Sequence, residues 1–174
     1  SVIQIENEYY STIRPKRVCP TGERPVNVLR TKGIEYLELR CVDLDPFSPV
    51  GVRRDQLDFM DTLLMYCLLK ESPPIGRGEA ETIKSNHEKI INNGRDVNQI
   101  INLDGNAKTT LDFAEKILSE LKEISSTLGG AIFKGDKNLW MESIELQNKK
   151  IKNIDETLSG KVLNDLLTKN MSFR

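Results

Sequence analysis

Between Thr109 and Leu128 the apolar residues Leu111, Ala114, Ile117, Leu118, Leu121, Ile124 and Leu128 recur at three- and four-residue steps. That spacing puts them on one stripe of a 3.6-residue helix, and the Gly129-Gly130 pair is expected to end it. An earlier helix is expected from an Asp55 cap to about Lys70. Its run LLMYCLL, Leu63 to Leu69, is apolar on nearly every side, the mark of a buried helix, and Ser72-Pro73-Pro74 stops it. Glu79 to Asn93 predicts a third helix with Gly94 as its stop. Asn138 to Leu158 and Ser159 to Asn170 predict two more.

The first part of the chain has a different period. Val2 to Tyr9 alternates Ile3 and Ile5 with Gln4, Glu6 and Glu8, as a strand with one wet face does. A loop marked by Pro15, Pro20, Gly22 and Pro25 follows. Ile34 to Leu44 predicts the second strand, entered through Gly33 and closed by Asp45-Pro46. Strands first and helices after define an α+β chain: a few antiparallel strands near the N-terminus, then a mainly helical portion. The division falls near Pro73-Pro74, giving segments 1–72 and 73–174.

Composition narrows the partners. The 174 residues are 38% hydrophobic and 29% charged, with 25 Lys plus Arg against 26 Asp plus Glu. No basic excess points to nucleic acid or an anionic membrane. Cys19, Cys41 and Cys67 are odd in number and lack metal-ligand spacing, which fits reduced thiols in a cytoplasmic protein. No apolar run approaches the ~20 residues of a membrane span, and Ser1-Val2-Ile3 opens no signal peptide.

Within GIEYLELRCVDLDPFSP, Gly33 to Pro49, the alternation sends Tyr36, Glu38, Arg40 and Val42 to one face and Leu37, Leu39 and Cys41 to the other. The second face is expected to be core. Glu38 and Arg40 stand about 6.6 to 7 Å apart along the strand, a separation that suits an ion pair and equally suits two groups reaching for one ligand. A guanidinium grips phosphate oxygens in a fork, and a carboxylate offers Mg²⁺ a hard oxygen. Pairing of the two strands in one sheet would add Asn7, Tyr10 and the basic stretch IRPKR, whose blander reading is a solvated loop. His87, the single histidine, has no partner at ligand spacing, and Gly76-Arg77-Gly78 lacks the lysine of a phosphate-binding loop and is expected to be a hinge or linker.

QIENEYYSTIRPKR, Gln4 to Arg17, and GIEYLELRCVDLDPFSPVGV, Gly33 to Val52, strongly resemble the proteobacterial-type glutamate–cysteine ligases. The likeness continues to about Glu71, thins to scattered positions such as Asn86 and Gly94-Arg95, and returns at TLSGKVL and Met171-Ser172-Phe173. Members of that family are much longer, so the resemblance implies an interior-to-C-terminal fragment whose missing N-terminal part carries further metal-binding carboxylates and most of the substrate pocket. It implies an ATP-dependent reaction joining the γ-carboxylate of L-glutamate to the amine of L-cysteine through a γ-glutamyl phosphate, the first step of glutathione synthesis. By the same resemblance Glu38 holds Mg²⁺, Arg40 contacts the transferring phosphoryl group, Tyr10 lines the cysteine pocket, and Asn7 and Arg14 line the site. The fragment alone is expected to be inactive. The competing reading is a non-catalytic helical interaction domain, in which Glu38 and Arg40 are an ion pair and the Leu111 to Leu128 stripe receives another helix; an open groove along that stripe would favour it.

Overall fold

The computed structural model describes residues 12–103, 105–132 and 138–171. Two compact units divide the chain, Ser1–Leu44 and Asp45–Arg174. The expected strand Val2 to Tyr9 lies outside the described residues.

In the first unit β1, Ile13–Lys16, pairs antiparallel with β2, Tyr36–Leu39. The basic stretch read as a loop is therefore a strand. Pro15 within it has no N–H to donate, and it is tolerated because, among the described residues, the sheet has two strands and each is an edge. One further rung, Arg40 N to Thr12 O at 2.8 Å, extends the ladder. Beyond Arg40 the chain leaves the sheet, so β2 is shorter than the Ile34 to Leu44 expected. Between the strands, Pro25–Lys32 forms α1, which the sequence reading did not anticipate. Proline at its start sacrifices an N–H that a helix leaves unpaired anyway, and Gly33, at φ 76°, closes it with its N–H on Leu29 O. The face of β2 expected to be core is open: Leu37 is 44% exposed.

The second unit begins with a tight loop. Buried Asp45 accepts the Phe47 N–H at 2.8 Å and sits 3.4 Å from Arg53 Nε, while its own N–H reaches Gly51 O at 2.7 Å. Arg53 in turn caps α2, Arg54–Leu69, and its N–H is held by Gln56 Oε1 at 2.7 Å. The cap thus falls two residues before the Asp55 expected. Next comes α3, Arg77–Asn93, whose cap is Gly76, so the Gly-Arg-Gly stretch starts a helix and is not a linker. His87 lies exposed on α3.

A hairpin missed in the sequence follows, β3, Ile100–Leu103, with β4, Asn106–Thr109. Gly105, at φ 77°, lies in its turn. The far edge of β3 is covered by a side chain: Asn86 donates to Asn102 O at 2.6 Å and accepts from Asn102 N at 3.0 Å. That amide imitates a neighbouring strand and satisfies backbone groups an edge leaves open.

Three helices make the core: α2, α4, Thr110–Ile132, and α5, Leu139–Lys152. Leu118, Leu121 and Ile144 are buried at its centre, with Phe59, Leu63, Tyr66 and Ile151 packed around them. Burying a side chain of this size contributes roughly 1.5–3 kcal/mol. Where the helices approach closely the buried residues are small and hydroxylated, Thr62, Ser125 and Ser143. Each hydroxyl is bonded, as in Ser143 Oγ to Trp140 O at 2.7 Å.

Gly129-Gly130 does not end α4, which continues to Ile132. A Cβ at Gly129 would overlap the amide of Asn138, the residue that caps α5 through Met141 N and ties back to Ser125 O at 2.9 Å. This glycine serves a close approach. Nor is α2 buried all round, since Leu68 is 76% exposed and Cys67 and Leu69 also face outward; α4 and α5 cover one side of it. After α5 a 3-10 turn, Ile154–Glu156, separates α6, Leu158–Thr168, so the continuous helix expected to Leu158 is broken six residues early.

Candidate active site

The pairing register sets Arg14 opposite Glu38 and Lys16 opposite Tyr36. With a period of two, Arg14 and Lys16 share a face of β1, and Glu38 and Arg40 share the matching face of β2. Glu38 lies among these cations. Arg40 Nε donates to its Oε1 at 3.0 Å, and Lys16 Nζ lies 3.4 Å from its Oε2. Partial desolvation pushes the Glu38 pKa up, but the hydrogen bond from Lys16 and the charges of Arg40 and Lys16 outweigh it and hold the carboxyl below its ordinary value. It is ionised at neutral pH.

The ion pair, one of the two arrangements that the spacing of Glu38 and Arg40 leaves open, is present, and Lys16 joins it. Sequence reasoning named Lys16 only as part of a basic loop; placing IRPK on a strand would have put Arg14 and Lys16 on one face. Arg17 serves the scaffold, donating to Gly33 O at 2.7 Å and pairing with Glu35 at 3.8 Å. Asn7 and Tyr10 lie outside the described residues.

Chemically, Lys16 and Arg40 flank one carboxylate, and the register places Arg14 across from it on the same face. A strand face carrying guanidinium and ammonium groups suits a polyphosphate, whose oxygens accept forked hydrogen bonds from guanidinium groups. Among the described residues no three His, Cys, Asp or Glu side chains are close enough to enclose a metal. Glu38 still fits Mg²⁺, which commonly takes one or two protein carboxylates and completes its shell with water and phosphate oxygens. Each Glu38 oxygen carries two lone pairs and meets one cation here, leaving acceptor capacity for a metal.

The helical stripe is divided. Leu118 and Leu121 are core, whereas Leu111, Ala114 and Ile117 border an apolar cleft of about 420 Å³ with Phe59 and Ile151 on its other walls. Among the described residues no helix is long and apolar enough to cross a membrane.

An antiparallel strand pair bearing ionised groups, joined in sequence to a helical unit, defines an α+β chain. The chain belongs to the glutamate–cysteine ligase family: the model described as Glutamate-cysteine ligase matches residues 1–90. Curated glutamate–cysteine ligases include one from Leptospira interrogans serovar Lai, 40% identical over 172 residues, which cover 99% of this chain and 32% of the relative. Another, from Azotobacter vinelandii, is 36% identical over 174 residues, covering 100% of this chain and 32% of the relative. A crystal structure of glutamate–cysteine ligase from Francisella tularensis in complex with AMP superposes with a TM-score of 0.83 at 31% identity, covering 94% of this chain and 32% of that one. A bifunctional glutathione synthetase from Pasteurella multocida shares the fold, with a TM-score of 0.65 at 19% identity over 96% of this chain and 20% of its own. The chain spans about a third of the length of the curated relatives it matches.

Proposed function

We propose that this chain forms part of a cytoplasmic glutamate–cysteine ligase that uses ATP to join the γ-carboxylate of L-glutamate to the amine of L-cysteine. The observation that carries the reading is the Lys16–Glu38–Arg40 constellation on one face of β1 and β2, within the residues matched by the family model. Glu38 would hold Mg²⁺, which when bound supplies charge neutralisation to the phosphate oxygens. Arg40 releases Glu38 and turns its guanidinium to the transferring phosphoryl group. Arg14 and Lys16 add positive charge on the same face, while Asn7, Tyr10 and Arg14 line the substrate site, Tyr10 on the side of cysteine.

Phosphoryl transfer asks the protein chiefly to position groups and stabilise charge developing on oxygen. A guanidinium on a paired strand does both. ATP phosphorylates the glutamate γ-carboxylate, releasing ADP; the cysteine amine then attacks the acyl carbon and expels phosphate. Glutamate recognition and the remaining metal ligands belong to parts of the enzyme outside these 174 residues. The isolated chain is therefore expected to release no phosphate in response to ATP, glutamate and cysteine together.

In the complete enzyme, Arg40→Ala is expected to lower turnover by about 10²–10³-fold, the range for loss of one preorganised charge-stabilising donor. Steady-state ADP release measures it, and unchanged turnover would remove Arg40 from the reaction.

A further inference from the structure

The end of α2, the β3–β4 hairpin and the first half of α4 enclose a cleft of about 210 Å³. Lys70, Lys108 and Lys116 stand on its walls with Tyr66, over a floor that includes Phe113 and Ile117. Every one of these residues lies in the helical unit, and none belongs to the Glu38 constellation. We propose that this cleft binds a small phosphate-bearing anion.

The charge balance is the first argument. Glu120 accepts a hydrogen bond from Lys70 Nζ at 3.0 Å and lies 3.7 Å from Lys116 Nζ, so one carboxylate faces two ammonium groups. Lys108 makes no hydrogen bond or ion pair among the described residues. Asp112 attracts it from a longer range, but the Asp112 carboxylate is already engaged by Thr109 N at 3.3 Å and Thr109 Oγ1 at 2.7 Å. The cleft therefore keeps cationic N–H donors that no protein acceptor uses.

Placement is the second argument. Lys70 lies over the Tyr66 ring, 5.5 Å from its centre, and the hydrogen bond to Glu120 holds it charged. Lys108 on β4 and Lys116 on α4 face the same small volume from different elements. A concave site rimmed by cations concentrates anions, and ammonium-to-phosphate hydrogen bonds are of the charge-assisted kind. The volume admits a phosphate and a short or single-ring organic body against Phe113 and Ile117.

Lysine side-chain NMR on the 174-residue chain, at ionic strength held fixed with chloride, tests this with inorganic phosphate and with phenyl phosphate. Saturable shifts at Lys108 and Lys116, lost in Lys108→Gln/Lys116→Gln with circular dichroism unchanged, are the expected result. Earlier saturation by phenyl phosphate identifies an organic phosphate as the ligand, and equal saturation identifies inorganic phosphate. No saturable shift with either probe would overturn the proposal, as would non-saturating shifts spread equally over exposed Lys84, Lys149 and Lys152. Should the double variant fail to fold, Lys108→Ala alone removes the cation without a partner; persistence of the saturable shift at Lys116 with undiminished affinity would be equally contrary.

Discussion

In the β1–β2 pair the charged groups are closely paired while apolar side chains such as Ile13, Tyr36 and Leu37 are about half exposed. In the helical unit the order is reversed, with Leu121 and Ile144 wholly buried and charges such as Lys84 and Glu88 on exposed faces. The difference separates two tasks. Burial in the helices supplies stability, because each large apolar side chain removed from water contributes free energy in proportion to area. The sheet, with little burial of its own, spends its best-defined contacts on holding a carboxylate among cations.

The contrast can be broken most forcefully at the core. Leu121→Ala is expected to destabilise the helical unit by about 2–5 kcal/mol, the range for a truncated buried leucine; a denaturant titration measures it. Gly160→Ala should come next. A Cβ there would overlap Asp155 Cα and Ile154 O, backbone atoms of the turn before α6 that cannot rotate away, and about 1–3 kcal/mol is the usual cost of such overpacking. Asn138→Ala removes the α5 cap and the tie to Ser125 together, with about 0.5–2 kcal/mol expected from the cap. Smallest is the pH response of the sheet. The Glu38 pKa is depressed on folding, so its stabilising contribution is complete above the unfolded value near 4.5 and is lost as pH falls through the lower folded value. Denaturation midpoints measured from about pH 5 downward should show a shallower decline in Glu38→Gln than in the parent chain.

How far the sequence discloses these two regions follows from their physics. The stripe of α4 was legible because burial of one helical face imposes a period that survives any detail of neighbours. Its end was not, because Gly129 answers to the approach of Asn138, a contact across sequence. The hairpin before it carried a signal in Asp104-Gly105, a dipeptide suited to tight turns, between two short runs. Both strands have four residues, too few for an alternation to stand out. In the sheet, Glu38 and Arg40 could be placed on one face from their spacing alone. Their third partner, Lys16, could not, since Pro15 marks the stretch as a loop by local propensity and only pairing with β2 makes it a strand. Whether the pair serves structure or chemistry cannot be decided from spacing either; an ion pair and a ligand site use the same two residues.

Glu38→Gln in the complete enzyme separates those two roles, because the amide keeps the shape of the side chain and one acceptor oxygen and removes the charge that would hold Mg²⁺. The account predicts a thermal midpoint within about 1 °C of the parent, since exposed ion pairs contribute little to stability, together with a steep fall in turnover and a higher Mg²⁺ concentration for half-maximal rate. Turnover and Mg²⁺ dependence both unchanged would contradict it and return Glu38 and Arg40 to the standing of a surface ion pair.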